Sequence, residues 1–194
     1  IQDLENRIIR CVGNPIERFT EDALRILRAI RFSCTLNFEI EKETKKAIHS
    51  CLHLLESISV ERKFEELSKI LLSNQNIYET LNEYQLFDVF KIKNHLSLKE
   101  ELNHAINDLE IRLACLFDDS IITKQTMKKW HCANKRINIV STIVSYRNIS
   151  LMNDSYHIRK LIYNHGIDCT KKILLFKNID LTLLNQIIES KDYL

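Results

Sequence analysis

Residues 9–44 read IRCVGNPIERFTEDALRILRAIRFSCTLNFEIEKET, and the pattern of this stretch decides which fold the chain is expected to have. The Gly13–Asn14–Pro15 break separates it from a preceding helix that the apolar spacing predicts over residues 3–11. Thr20 is a good N-cap, and acidic residues directly after it suit the positive end of a helix. Apolar residues then recur at helical spacing, so a helix is predicted over about residues 21–35.

The remaining sequence has the same helical character. Its 194 residues include only two glycines and one proline, although turns and hairpins usually need both residue types. We therefore predict an all-α fold. After a short connection at residues 36–38, apolar spacing predicts helices over residues 41–55, 60–72 (with Ser59 as a candidate cap), 76–84, 98–106, 109–117, 123–131, 135–147, 156–163, 169–176 and 181–188, with a buried linker or short helix over 86–90.

Charge is distributed unevenly along the chain. Residues 124–172 contain ten Lys and Arg residues against two acidic ones, whereas residues 1–123 contain sixteen basic and twenty-one acidic residues. We predict two parts, residues 1–92 and 93–194, with the boundary near residues 91–97. A basic second part is typical of a protein that binds a nucleic-acid backbone. A solvated helical face is the alternative interpretation, and charge alone does not decide between them.

Several kinds of chemistry have no signature in the sequence. There is no DxD pair for two metal ions, no glycine-rich phosphate loop and no nucleophile elbow, so no catalytic residue is predicted in this chain. His49 and His53 are four residues apart, but without a third ligand they predict a helical surface pair and no metal site. The six cysteines have no metal-binding spacing and are expected to be buried or half-buried thiols of a reducing cytosol.

The sequence also allows expectations about location and completeness. It contains no signal peptide and no long uncharged apolar run, so a cytoplasmic protein without a membrane span is expected. It begins at Ile1 in helix-like sequence, and we therefore expect it to be part of a longer polypeptide.

Residues 9–44 closely resemble the neck of class II (bacterial-type) tRNA nucleotidyltransferases and poly(A) polymerases, whose pattern is IRxVGxPxxRFxEDxLRxLRAxRFxxxLxFxIxxxT. Residues 59–71 resemble the SxERxxxELxKIL segment of the same family. The resemblance is strong over about residues 1–72, and beyond them only length, helicity and charge agree. It implies a neck–body–tail array of helices that follows an α/β head, and this head is absent from the 194 residues.

Asp22 and Arg25 are the main candidate site residues. In a single helix they would be three positions apart and share a face, with Asp22 as an acceptor beside the donor fork of Arg25. Cytosine and adenine both offer an amine beside a ring-nitrogen acceptor, which this pair matches, whereas guanine and uracil do not. An ordinary surface ion pair is the alternative explanation of the spacing. The resemblance to the EDxxR motif of the family implies that the pair selects the incoming base.

The resemblance implies further roles near this pair. Glu21 would orient Arg25 or the start of the helix, Arg18 would contact the triphosphate or brace Glu21, and Arg28 would meet phosphates or be solvated. A bracing role for the neck is implied for three residues in the second matching segment: Glu61, Arg62 and Glu66.

In the basic part, clustering selects candidate RNA-binding residues, namely Lys128, Lys129, Lys135, Arg136, Arg159 and Lys160. Four aromatic residues lie among them: Trp130, Tyr146, Tyr156 and Tyr163. Their helical apolar spacing favours packing in the core over stacking on RNA bases.

The resemblance thus implies an enzyme that adds C, C and A, or a subset, to tRNA 3′ ends from CTP and ATP, with Mg²⁺ bound by the head. This chain would select the base and bind tRNA, and alone it would be inactive. The alternatives are a poly(A) polymerase or a CC- or A-adding enzyme of the same family, and a stand-alone RNA-binding module.

Overall fold

Helices make up nearly all of the regular structure in the computed structural model, which describes residues 2–73, 76–94, 97–191 and 193. The all-α prediction is confirmed. The helices are α1 (Gln2–Glu5), α2 (Pro15–Glu21), α3 (Leu24–Leu36), α4 (Lys42–Cys51), α5 (Val60–Leu71), α6 (Ile77–Glu83), α7 (Leu86–Val89), α8 (Leu98–His104), α9 (Leu109–Cys115), α10 (Ser120–Lys129), α11 (Asn134–Ser145), α12 (Ser155–Phe176) and α13 (Thr182–Glu189).

The start of the chain differs from the predicted helix over residues 3–11. Helix α1 ends at Glu5, and two short parallel strands follow, β1 (Ile8–Ile9) and β2 (Glu39–Ile40). The pairing aligns Ile8 with Glu39 and Ile9 with Ile40. The prediction failed because the carbonyls of Arg7 and Ile9 accept from the backbone nitrogens of Glu39 and Glu41 after α3, partners that local apolar spacing does not reveal.

Other helix boundaries shift where a side chain caps the helix. Helix α4 begins after Glu41, whose carboxylate accepts from the Thr44 backbone nitrogen at 2.8 Å, and it gives way to a 3₁₀ helix over Leu52–Ser57. Helix α10 begins three residues earlier than predicted, because Asp119 accepts from the first free N–H groups. Ser59 occupies the N-cap position of α5, as expected, but its side chain makes no capping hydrogen bond.

One hydrophobic core extends through both of the parts that the charge pattern distinguishes. Helix α3 contributes Ile26 and Ile30 to this core and packs along α5, which contributes Leu67 and Ile70. Trp130, after α10, contacts Phe64 of α5 as well as Phe90 and Phe117. Of the predicted boundary at 91–97, His95 and Leu96 lie outside the described residues. The two-part division therefore stays a prediction.

Two polar contacts also connect the parts. Arg112 of α9 is buried, and its Nη1 atom donates to the carbonyls of Leu71 and Ser73, the latter at 2.9 Å. These carbonyls lie at the end of α5, where a cation is favourable. His131, after α10, contacts the carboxylate of Glu61 at the start of α5.

Helix α12 contains a backbone break at Gly166, whose φ of 77° and ψ of 166° are not helical. The sequence predicted helices on either side of this glycine, over residues 156–163 and 169–176, and this division is confirmed. Next to the break, the hydroxyl of Tyr146 lies 2.9 Å from Nε2 of His165.

None of the six cysteines forms a disulfide; four of them are buried and the other two half-buried, as the sequence predicted. Burial raises the pKa of the Cys115 thiol to about 12 and that of Cys132 to about 11. In the described part of the chain, no helix is long and apolar enough to cross a membrane.

Candidate functional site

The segment that contains Asp22 is not a single helix. Asn14 caps α2 by accepting from the Ile16 backbone nitrogen at 3.0 Å, and Pro15 occupies the first helical position, where its missing N–H is not needed. Helix α2 ends at Glu21, and Asp22 is extended, with φ −149° and ψ 98°. The predicted N-cap, Thr20, instead lies inside α2 and donates to the Ile16 carbonyl at 2.8 Å.

The next helix, α3, begins at Leu24, and Ala23 before it already has helical dihedrals (φ −62°, ψ −21°), so the side chain of Asp22 caps this helix. The Oδ1 atom of Asp22 accepts from the Leu24 backbone nitrogen at 3.1 Å, a local bond that competes with continuation of α2. The expectation that Asp22 and Arg25 lie in one continuous helix is therefore wrong, because Arg25 lies in α3 and Asp22 precedes it.

Glu21 lies between two arginines. Its carboxylate accepts from Nη1 of Arg18 at 3.1 and 3.0 Å, and from Nη1 of Arg25 at 2.9 Å. Arg18 also donates to the Val12 carbonyl, and Arg25 to the Arg18 carbonyl. These hydrogen bonds hold the pKa of Glu21 below its usual value, so the carboxylate is charged at neutral pH. The structure thus brings together Arg18, Glu21 and Arg25.

The three residues for which a bracing role was implied have different partners. Nη2 of Arg62 lies 4.0 Å from Oδ1 of Asp22. Glu66 is buried, and its carboxylate accepts from Nε of Arg31 on α3 at 2.6 Å. Glu61 is directed towards His131. Arg62 and Glu66 therefore connect α5 to the segment around Asp22 and α3, whereas Glu61 connects α5 to the basic part.

A cleft of about 240 Å³ opens beside this segment. Arg25 and Arg28 lie on one wall with Phe32, and the segment around β1 and α4 supplies other walls. The sequence analysis did not name Phe32, although it follows Arg28 by four residues and helical spacing would have placed both on one face. The full set of lining residues is Ile9, Arg10, Cys11, Phe19, Arg25, Arg28, Ala29, Phe32 and Thr44.

The candidate RNA-binding residues divide by their environment. Lys128, Lys129 and Lys135 are exposed, and no acidic side chain in the described ranges pairs with them. Arg136 donates to Glu110 at 3.0 Å. Arg159 is half-buried, and Lys160 is exposed.

Part of the basic excess is neutralised within the protein. Arg147 forms an ion pair with Glu101, and Lys172 forms one with Asp108. These acidic residues lie before residue 124, so the charge count of residues 124–172 overstates the free positive charge of the folded surface.

The aromatic residues of this region also divide. Trp130 is buried and Tyr146 is half-buried, as the sequence predicted. Tyr156 and Tyr163 are 66% and 88% exposed, so the packing prediction is wrong for them. Helix α12 buries Ile158 and Ile162 instead, and the two tyrosines fall on the opposite side.

Among the described residues, no group of three His, Cys, Asp or Glu side chains is placed to hold a metal ion. His49 stacks on Tyr84, with ring centroids 5.7 Å apart. The Mg²⁺ ions implied by the resemblance therefore have no ligand set in the described part of this chain.

Comparison with known proteins identifies relatives. A family model described as the probable RNA and SrmB-binding site of polymerase A matches residues 37–93. The CCA-adding enzyme of Lactococcus lactis subsp. lactis (strain IL1403) is 35% identical over 187 residues, which cover 90% of this chain and 44% of that protein. The chain spans less than half the length of the curated relatives it matches.

Solved structures share the fold. The Bacillus stearothermophilus CCA-adding enzyme in complex with CTP superposes with a TM-score of 0.73 at 23% identity, covering 91% of this chain and 47% of that one. A tRNA nucleotidyltransferase complexed with a primer tRNA and an incoming ATP analog gives 0.71 at 18% identity, covering 98% and 64%. The chain therefore belongs to the class II tRNA nucleotidyltransferase and poly(A) polymerase family and corresponds to its helical portion.

Proposed function

We propose that this chain selects the incoming base and binds RNA in an enzyme that adds C, C and A, or a subset of them, to tRNA 3′ ends from CTP and ATP. The observation that carries the proposal is the arrangement of Arg18, Glu21, Asp22 and Arg25 at the α2–α3 junction. The cytoplasmic location expected from the sequence is part of the same proposal.

Base selection uses the groups that the internal contacts leave available. Arg25 uses Nη1 for its contacts with Glu21 and the Arg18 carbonyl, and a guanidinium carries five N–H donors. Asp22 uses Oδ1 to cap α3 and to face Arg62, which leaves Oδ2 as an acceptor among the contacts of the described residues. Asp22 would accept from the exocyclic amine of cytosine or adenine, and Arg25 would donate to the neighbouring ring nitrogen.

Discrimination against the other two bases follows from the same chemistry. Guanine and uracil present a carbonyl oxygen and a ring N–H at these positions, so Asp22 would face an acceptor and Arg25 a donor. A site built to hydrogen-bond one edge strongly disfavours an edge that leaves its polar groups unpaired. Glu21 is a positioning residue in this proposal, because it fixes Arg25 from one side.

The chemical step requires groups from outside this chain. Nucleotidyl transfer by two metal ions needs paired carboxylates, and the sequence has no DxD pair. We assign the Mg²⁺ site to the α/β head that the family resemblance implies. The chain contributes selection of the base and retention of the RNA.

RNA binding is assigned to the basic part, residues 93–194, with residues 1–92 as the neck and body. The strongest candidates are the exposed lysines for which the described residues supply no acidic partner: Lys128, Lys129, Lys135 and Lys160. Arg136 and Arg159 rank below them, because Arg136 is held by Glu110 and Arg159 is half-buried.

A primer-extension ladder with the full-length gene product tests the function. The assay uses a tRNA that lacks its 3′ end, Mg²⁺, and CTP, ATP or both. Addition of C, C and A followed by a stop is the expected result. A long A ladder without C would instead indicate a poly(A) polymerase, and addition of only CC or only A would indicate a partial activity. If the protein bound the tRNA but added no nucleotide, the result would indicate an RNA-binding module without transferase activity.

The same assay tests the site. Asp22→Ala and Arg25→Ala are expected to lose discrimination of C and A over G and U, or to stop addition, while tRNA binding persists. The matched control is Glu43→Ala, which removes an exposed ion pair with Lys46 on α4, where the two groups are 2.9 Å apart. Normal nucleotide selection by both site variants would refute the assignment.

A further inference from the structure

Two tyrosines and a lysine form an exposed stripe on α12. Tyr156, Lys160 and Tyr163 are spaced by four and three residues, which places them on one side of the helix. Tyr156 and Tyr163 are 66% and 88% exposed, and Lys160 is exposed between them. We call these three residues the Tyr–Lys face.

The core does not explain the position of these tyrosines. Helix α12 is held in the fold by its opposite side, where Ile158, Leu161 and Ile162 are buried. The ammonium of Lys160 lies 6.0 Å from the ring centroid of Tyr156, so the cation and the aromatic ring are presented together. The nearest acidic group along this segment, Asp154, is held by His157 at 2.8 Å and does not neutralise Lys160.

We propose that the Tyr–Lys face binds the RNA substrate by stacking Tyr156 and Tyr163 on unpaired bases or riboses of a folded loop, while Lys160 contacts a phosphate. The inference rests on the proposed function and adds a specific surface to it. Aromatic side chains beside a cation match a base beside its phosphate, and RNA loops are recognised mainly through unstacked bases.

The spacing restricts what the face can bind. Seven residues of helix separate the two tyrosines by about 10 Å along the axis. Adjacent nucleotides in one strand are about 3.4 Å apart, so the two rings must contact separate nucleotides. A continuous duplex hides its base faces, and a bulged or looped segment is therefore the RNA that fits.

Charge disfavours a second copy of this chain as the occupant. A symmetric contact through the Tyr–Lys face would bring two Lys160 side chains together, since a two-fold interface uses the same patch on both molecules. The surrounding stretch, residues 124–172, also has an excess of basic residues. RNA offers bases that can stack on the two tyrosine rings and phosphates that can pair with Lys160.

The test measures binding of the full-length gene product to a tRNA transcript without its 3′ end, by fluorescence anisotropy at several salt concentrations. Tyr156→Ala and Tyr163→Ala are each expected to raise the Kd by about fivefold or more, which is the usual effect of losing one stacked base. The dependence of Kd on salt should stay the same, because tyrosine carries no charge. Lys160→Ala should instead lower the salt slope by about one.

Conservative variants and a control separate stacking from folding. Tyr156→Phe and Tyr163→Phe keep the rings and should retain most of the affinity. Leu36→Ala changes an exposed apolar residue at the end of α3 and should have no effect on RNA binding.

Unchanged affinity in both alanine variants would overturn the inference while leaving the proposed function intact. If those variants bound RNA normally but reduced self-association in sedimentation, the face would be an interface between copies. If the unmodified protein neither extended nor bound tRNA, the proposed function itself would fail.

Discussion

Asp22 has a structural contact that is separable from its proposed contact with the base. Its Oδ1 atom caps α3 through the Leu24 backbone nitrogen. Asn is as good an N-cap as Asp, whereas Ala offers no acceptor, so Asp22→Ala should lower the free energy of unfolding by about 1 kcal/mol and Asp22→Asn by only a few tenths. Urea denaturation of both variants measures the difference. Equal stability of the two variants would mean that the carboxylate does not cap α3.

The sequence predicted which residues form this site but not which of them contact one another. Arg18, Glu21, Asp22 and Arg25 were all named, and their roles stay predictions. The error was to treat residues 21–35 as one helix that contains both Asp22 and Arg25, whereas α2 ends at Glu21 and α3 begins at Leu24. Asn14 before Pro15 is itself a helix-start signal, and Asp22 can cap a second helix, so the local signals for two helices were present. Apolar periodicity does not resolve a one-residue break of this kind.

At the scale of elements, Gly166 determines how α12 is built. Its φ of 77° with ψ of 166° is accessible essentially only to glycine, and an added Cβ would meet no atom within 4 Å. The cost of Gly166→Ala is therefore backbone strain alone, and we expect a loss of about 1–3 kcal/mol in unfolding free energy. Thermal and urea denaturation measure it.

Asn164→Ala is the control for this prediction. Asn164 is exposed two residues before the break, inside the first segment of α12, so alanine there should change stability by no more than about 0.5 kcal/mol. If Gly166→Ala were as stable as the control, the break would not depend on the special conformation of glycine.

Elements that depend on local signals were predictable, and those that depend on distant partners were not. The two segments on either side of Gly166 and the helix over Val60–Leu71 follow from apolar spacing within a few turns. The β1–β2 pair joins Ile8 to Glu39 across the whole α2–α3 segment, and a strand of two residues has no period to detect.

At the scale of the whole molecule, the charge pattern distinguishes two parts of the chain by their surface residues, but the two parts share one hydrophobic core. Residues 124–172 are rich in basic side chains, yet Arg147 and Lys172 form ion pairs with Glu101 and Asp108. Trp130 packs between aromatic residues from both predicted parts. The sequence could not show these contacts because the partners are tens of residues apart, and a count of charges does not reveal which of them are paired.

Arg112 gives a test of whether the two parts fold together. It is buried in α9 and donates to the Leu71 and Ser73 carbonyls at the end of α5. Arg112→Met replaces the guanidinium with an uncharged end on a side chain of similar length. Both carbonyls then lose their hydrogen-bond donor. Each unsatisfied buried acceptor costs about 1–3 kcal/mol, so we expect the free energy of unfolding to fall by about 2–4 kcal/mol.

The unfolding of this variant should remain a single transition, because one core extends through both parts. Fluorescence of Trp130, the only tryptophan of the chain, reports on the contact between the parts, and circular dichroism reports on all helices. The control is Arg136→Met, whose guanidinium makes a partly exposed ion pair with Glu110 worth at most about 1 kcal/mol. If the fluorescence of Arg112→Met changed at a lower denaturant concentration than its circular dichroism, the two parts would unfold separately. Residues 1–92 and 93–194 would then be separate folding units and would differ in more than charge.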